Sequence, residues 1–292
     1  MLGFIESLLA APTVAPALLI GSLVAVTSGV VGVFVVLRGQ SFAGHALGDI
    51  GTTGAAAAYL GGLPALYGFV GVGVLGGLAI EGLGERARER DVATGIVLSL
   101  MLGVGALLLY FMTQRTNATG GPVAILFGSI FTVDPSIMLP VALFSLLALL
   151  LLAFLYRPLV FASVSPQAAQ AKGVPLQGVG LLFMLALAIA VEESALVAGA
   201  LLSTALLIGP AASAVRWTRQ IGAAAALSAL LGLLAVSVGI ALAYQSYFWP
   251  PGHRGWPVSF FIVLLVLTEY LLARLLPARA ARRVLPRREE AA

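Results

Sequence analysis

An all-α polytopic membrane protein is the fold class this sequence predicts, and three observations predict it. Of 292 residues, 60% are hydrophobic and only 10% charged, whereas a soluble domain carries about a quarter charged residues. Long apolar runs recur from Pro12 to Leu275, with the charges gathered between them. The basic residues also segregate strongly once the runs are taken as spans. A crossing needs about 20 residues, so the chain holds roughly eight to ten spans and has no room for a separate soluble catalytic domain.

Apolar runs between breakers give about nine spans: Pro12–Leu37, Ser41–Leu60, Leu63–Ile80, Val92–Met112, Ile137–Tyr156, Leu176–Val191, Ser194–Val215, Ile221–Tyr244 and Val258–Leu275. Only Glu192 and Glu193 separate the sixth and seventh, which form either a tight hairpin or one broken helix. Gly121–Val133 is apolar but too short to cross, and is expected as a re-entrant or surface helix. Met1–Ala10 has no basic stretch and carries Glu6, so it is read as a short interfacial segment rather than a cleaved signal.

With nine spans the termini lie on opposite sides. One side receives Arg38, Arg86, Arg88, Arg90, Arg157, Lys172, Arg216, Arg219 and six arginines from Arg274 to Arg288; the other receives Arg115 and Arg254. Fourteen against two places the carboxyl terminus in the cytoplasm and the amino terminus outside. Residues 1–292 are then one transmembrane domain, of which about 276–292 form a basic cytoplasmic tail. That tail suits lipid contact and is weak evidence for nucleic acid, which is not expected as a partner.

Cysteine is absent, which excludes disulfides, thiolate metal sites and cysteine nucleophiles. Lys172 is the only lysine, and no G-x-x-x-x-G-K-[ST] surrounds it. Any ATP must be hydrolysed by a partner, and no cofactor is expected in the chain itself. Dense glycine and alanine in the spans, as at Gly44, Gly48, Gly51 and Gly54, suit close helix packing.

Ionisable side chains inside spans are costly, so each is a candidate for function. His45 and Asp49 are four residues apart on the second span, on one helical face and about 6 Å apart along the axis. An imidazole with a carboxylate suits zinc, manganese or iron. A buried His–Asp hydrogen bond that packs helices reads equally well, and the spacing leaves both open. Glu192 and Glu193 are expected in a solvated outer turn, or as an acidic entrance that concentrates cations. His253 and Arg254 fall in the outer loop Gln245–Pro257, where Tyr247, Phe248, Trp249 and Trp256 suit an interfacial belt. Glu269 is expected to pair or to reach the interface. Two inner segments suit a protein partner as well as water: Glu81–Asp91, with four acids and three arginines, and FASVSPQAAQAKGV (Phe161–Val174), read as a short surface helix.

Several segments together resemble the permease subunit of the metal-ion ABC importers. They are GVVGVFVVLRGQSFAGHALGDIGTTGAA (Gly29–Ala56), RDVATGIVLSLMLGVGALLLYF (Arg90–Phe111), LFGSIFTV (Leu126–Val133), SPQAAQAKGVP (Ser165–Pro175) and VAGALLSTALLIGPAASA (Val197–Ala214). The resemblance covers most of the chain. It implies a homodimeric permease in a prokaryotic plasma membrane, importing zinc, manganese or iron with a separate ABC ATPase and a metal-binding solute-binding protein. Ala171, Lys172, Gly173 and Val174 would then couple to the ATPase, and His45 and Asp49 would be pathway metal ligands. The chain departs from the family at three places. The family has an acid and then a histidine four residues later, and here His45 precedes Asp49. Ser165 stands where an acid is common, and the Glu192–Glu193 pair is atypical. Rival readings are a permease for metal chelates such as siderophores or cobalamin, an ion-coupled secondary transporter, and an intramembrane enzyme. The last has Ser41 near His45 and Asp49 but no oxyanion site.

Overall fold

The computed structural model describes residues 13–84, 87–116, 120–128, 130–132, 134–200, 203–249 and 255–276. Every regular element among them is helical. In chain order they are α1 (Val14–Arg38), α2 (Ser41–Leu60), α3 (Ala65–Leu83), α4 (Ala87–Thr116), α5 (Gly120–Phe127), α6 (Met138–Val164), α7 (Pro166–Ala171), α8 (Leu176–Ala198), α9 (Ser203–Trp217), α10 (Ile221–Ser246) and α11 (Val258–Leu275). Single 3₁₀ turns at Ile130–Thr132 and Pro135–Ile137 lead into α6.

Seven of these helices are long and apolar enough to cross a membrane: α1, α3, α4, α6, α8, α10 and α11. The two other expected spans fall short for different reasons. Helix α9 has only 15 residues, while α2 has 20 but interrupts its small apolar residues with His45, Asp49, Thr52 and Thr53. The amino-terminal segment, Arg86, His253, Arg254 and the tail beyond residue 276 lie outside the described residues.

Helix α8 is the axis of the bundle. Every residue from Ala186 to Ala198 is buried, as expected of a helix enclosed on all sides. Around it, α4, α6 and α11 turn large apolar side chains outward, including Leu100, Phe154 and Leu275. In lipid this is the stable arrangement, because the hydrocarbon solvates those side chains as well as a protein interior does.

Glu192 and Glu193 do not form a solvated turn. Both lie inside α8 at 0% exposure, so the helix runs seven residues past the expected end at Val191. Glutamate is a good helix former, and two adjacent acids do not break a helix that can accommodate their side chains. The break comes at Gly199, whose φ of +85° suits glycine. Gly199 also meets the backbone of α5's end at Leu126–Gly128 so closely that a Cβ would collide with it. The expected short helix in Gly121–Val133 is thereby docked against α8, with α5 accounting for its first part.

Three further expectations also change. Helix α6 passes through Pro158 to Val164 instead of stopping at Tyr156, since proline is tolerated in membrane helices whose neighbours re-satisfy the backbone. Phe161–Val164 therefore belong to a long helix, and the short surface helix is only Pro166–Ala171. Glu81, expected in a solvated loop, is buried at the end of α3, where its carboxylate accepts a hydrogen bond from Arg90 of α4 at 3.1 Å. Its other side presses on Gly180 of α8.

Candidate metal-ion site

Helix α2 carries the two candidate ligands because its glycines let it lie flat against its neighbours. On one face, Gly54 and Gly68 of α3 put backbone against backbone, and a Cβ on either would collide with the other's carbonyl. Gly48 meets Ser203 and Ala200, at the junction of α8 and α9. His45 and Asp49 project from an adjacent face, with side-chain exposures of 46% and 15%.

His45 Nε2 and Asp49 Oδ2 are 3.8 Å apart. At that distance the pair makes no direct hydrogen bond in this structure. Bonds of about 2.0–2.2 Å from one metal ion to both atoms would bring them to roughly 3.0–3.5 Å at tetrahedral or octahedral angles, which a small side-chain rotation supplies. His45 Nδ1 is 3.0 Å from Thr204 Oγ1 on α9. A ring that donates Nδ1–H to Thr204 keeps the Nε2 lone pair free on the Asp49 side, which is how outer partners orient metal-binding histidines. Thr52 Oγ1 donates to the Asp49 carbonyl at 2.6 Å. Among the described residues, no three histidine, aspartate or glutamate side chains converge tightly enough to hold an ion unaided.

Two neighbouring residues are not singled out by sequence for this region. Thr204 gives no signal by residue type, because only the fold brings α9 beside α2. Glu192 does give one, as an acid within an apolar stretch, but the sequence reads it as a solvated turn or an acidic entrance. Its carboxylate fills a slot between Gly51 of α2 and Gly73 of α3, and a Cβ at either glycine would strike a carboxylate oxygen. Glu193 points elsewhere and accepts a hydrogen bond from Ser145 Oγ of α6 at 2.8 Å. For Glu269, expected to pair or to reach the interface, one oxygen, Oε2, is buried without a hydrogen-bond partner among the described residues.

Charges collect at the end of the bundle where α2 begins. Arg38, at the end of α1, lies 5.2 Å over the Phe183 ring of α8, within electrostatic reach of Arg90 and Glu81. The proposed coupling residues occupy an exposed turn. Ala171 ends α7, Lys172 caps it with its ammonium 5.6 Å from the Phe161 ring, and Gly173 has a φ of +80°. Val174 N–H returns to the Ala169 carbonyl at 3.0 Å.

A multi-pass helical bundle with ionisable groups held between its helices has the build of a membrane transport permease. The chain belongs to the ABC 3 transport family, whose model matches residues 10–272, and it is a permease rather than an enzyme. It is 31% identical over 239 residues to the manganese transport system membrane protein MntC of Halalkalibacterium halodurans, covering 81% of this chain and 80% of that one. It is 29% identical over 230 residues to the manganese import system permease protein ScaB of Streptococcus parasanguinis, covering 78% and 81%. Among solved structures, PsaBC from Streptococcus pneumoniae in complex with Fab aligns with a TM-score of 0.77 at 25% identity, covering 94% of this chain and 96% of that one. A putative metal-chelate type ABC transporter in an inward-facing conformation shares the fold, with a TM-score of 0.69 at 19% identity over 89% and 85% of the chains.

Proposed function

We propose that this chain is the membrane-spanning subunit of an ATP-driven importer of a divalent transition metal, with manganese the leading cargo and zinc and iron the alternatives. The observation that carries the reading is the His45–Asp49 pair: one nitrogen and one oxygen donor on a shared face, 3.8 Å apart and partly open. The manganese systems of its relatives support the same cargo. A wide chelate pathway would not need such a pair, and the likeness to the metal-chelate type transporter extends only to the fold.

The remaining parts follow from the chain's own gaps. It has no phosphate-binding loop, so a separate ABC ATPase supplies the energy and docks at Ala171–Val174, while a solute-binding protein delivers the ion outside. A second copy covers the open His45–Asp49 face, since ionisable groups facing lipid are costly. Helices α2 and α9, enclosed by protein rather than lipid on much of their surface, complete nine crossings of a plasma membrane. The clustering of Arg38 and Arg90 at one end supports a cytoplasmic placement of that end and of the carboxyl terminus. Residues 1–292 act as one permease domain.

The test is uptake into vesicles containing this chain with or without its ATPase. Manganese should accumulate only with the ATPase and ATP. Accumulation driven by an ion gradient without the ATPase would establish secondary transport, and uptake of a siderophore or cobalamin instead of the bare ion would establish the chelate reading.

A further inference from the structure

Arg38 is a guanidinium short of acceptors. It closes the last turn of α1, half-buried, with its face 5.2 Å over the ring of the fully buried Phe183. Its Nε donates to Gln40 Oε1 at 3.3 Å, and its terminal nitrogens have no acceptor among the described residues. The carboxylate that reaches Arg38 is Glu81, and both of its oxygens are taken by Arg90 Nη1, at 3.1 and 3.3 Å. Arg90 in turn keeps a buried Nε without a partner. Two guanidinium groups thus share one carboxylate, and donors outnumber acceptors.

The charge is unbalanced in the same sense. At Arg38 the repulsion from Arg90 outweighs the attraction to Glu81, and the carboxyl end of α1 offsets only part of it. A partly desolvated positive charge is costly without a counter-anion. Water fills empty acceptor positions but does not balance charge. The apolar neighbours narrow the choice of anion. Leu37 precedes Arg38, Leu83 lies two residues beyond Glu81, and Val92 lies two beyond Arg90, with exposures of 40%, 66% and 59%. Charged groups set beside open apolar side chains suit the boundary between hydrocarbon and headgroups. This end of the bundle is also the one proposed to face the cytoplasm, where the lipid surface is anionic.

We propose that Arg38 holds a phosphate group, that of an anionic lipid of the inner leaflet, where α1 and α3 end and α4 begins. The planar guanidinium offers paired N–H groups to two phosphate oxygens, Arg90 adds its charge, and the acyl chains lie along Leu37, Leu83 and Val92. A lipid seated there bridges α1 to the α3–α4 pair that Glu81 and Arg90 join. The site is separate from His45 and Asp49, and it stands whichever ion the chain carries.

The test is lipid binding to the purified permease–ATPase complex in detergent, counted by native mass spectrometry with phosphatidylglycerol, with phosphatidylethanolamine and with inorganic phosphate. The wild-type complex should retain phosphatidylglycerol in preference to phosphatidylethanolamine. Arg38→Gln removes the charge and should weaken that binding about fivefold, the worth of one basic residue at an anionic surface. Arg38→Lys keeps the charge but not the fork and should fall between the two. Arg157→Gln removes a charge from an exposed position on α6 and should change nothing. Equal binding of both lipids, wild-type affinity in Arg38→Gln, or an equal loss in Arg157→Gln would overturn the proposal. Displacement of the lipid by millimolar inorganic phosphate would overturn the lipid source and assign the site to free phosphate. If Arg38→Gln does not assemble with the ATPase, Arg38→Lys decides alone, and wild-type affinity there overturns the proposal.

Discussion

His45 and Asp49 owe their pairing to helix geometry alone, and the sequence was sufficient to find it: a four-residue spacing places two side chains on one face whatever surrounds them. What surrounds them was not legible. Thr204 is 159 residues away in sequence and meets His45 only because α9 packs beside α2. The reversed order relative to the family still leaves one nitrogen and one oxygen on that face. We therefore expect the double change His45→Asp with Asp49→His to retain manganese uptake, with an altered preference among manganese, zinc and iron. Competition between the ions in vesicle uptake measures this, and complete loss of transport would show that Thr204 fixes the histidine to its present position.

Helix boundaries were only partly legible, since neither charge nor proline alone marks an end: α6 runs on through Pro158. Ser41–Leu60 and Val258–Leu275 match expectation at both ends, whereas Glu192 and Glu193 were read as a break that the chain makes only at Gly199. The misreading has a physical origin, since an acid pair inside a membrane helix is stable only with room and partners, and Gly51, Gly73 and Ser145 come from distant parts of the chain. The Glu81–Arg90 pair was hidden for the same reason. It ties α3 to α4 against Gly180, and Glu81→Gln should destabilise the protein by about 3 kcal/mol by leaving the Arg90 charge without its counterion. Thermal unfolding in detergent should show the loss. The turn at Gly173 carries a different prediction. A side chain there meets open space but must adopt a left-handed backbone at a cost of about 1–2 kcal/mol. Gly173→Val should therefore deform the turn without unfolding the bundle, leaving ATP hydrolysis running while metal uptake falls, as read by the ratio of ions moved to ATP consumed.

For the whole molecule, the composition was enough to establish a polytopic helical bundle, because so few charges cannot cover a water-exposed surface. It could not show that α8 lies at the centre, which follows from the burial of one unbroken stretch from Ala186 to Ala198. The bundle presents apolar α4, α6 and α11 to lipid and holds its ionisable groups near α2 and α8. We place the ion's path in that inner region. The most direct measurement is ATP-driven Mn²⁺ uptake into vesicles containing the complete complex, comparing wild type with His45→Ala and Asp49→Ala at matched assembly with the ATPase. Each variant should assemble normally and lose nearly all uptake; wild-type rates in both would contradict the assignment and make the pair a bystander of transport.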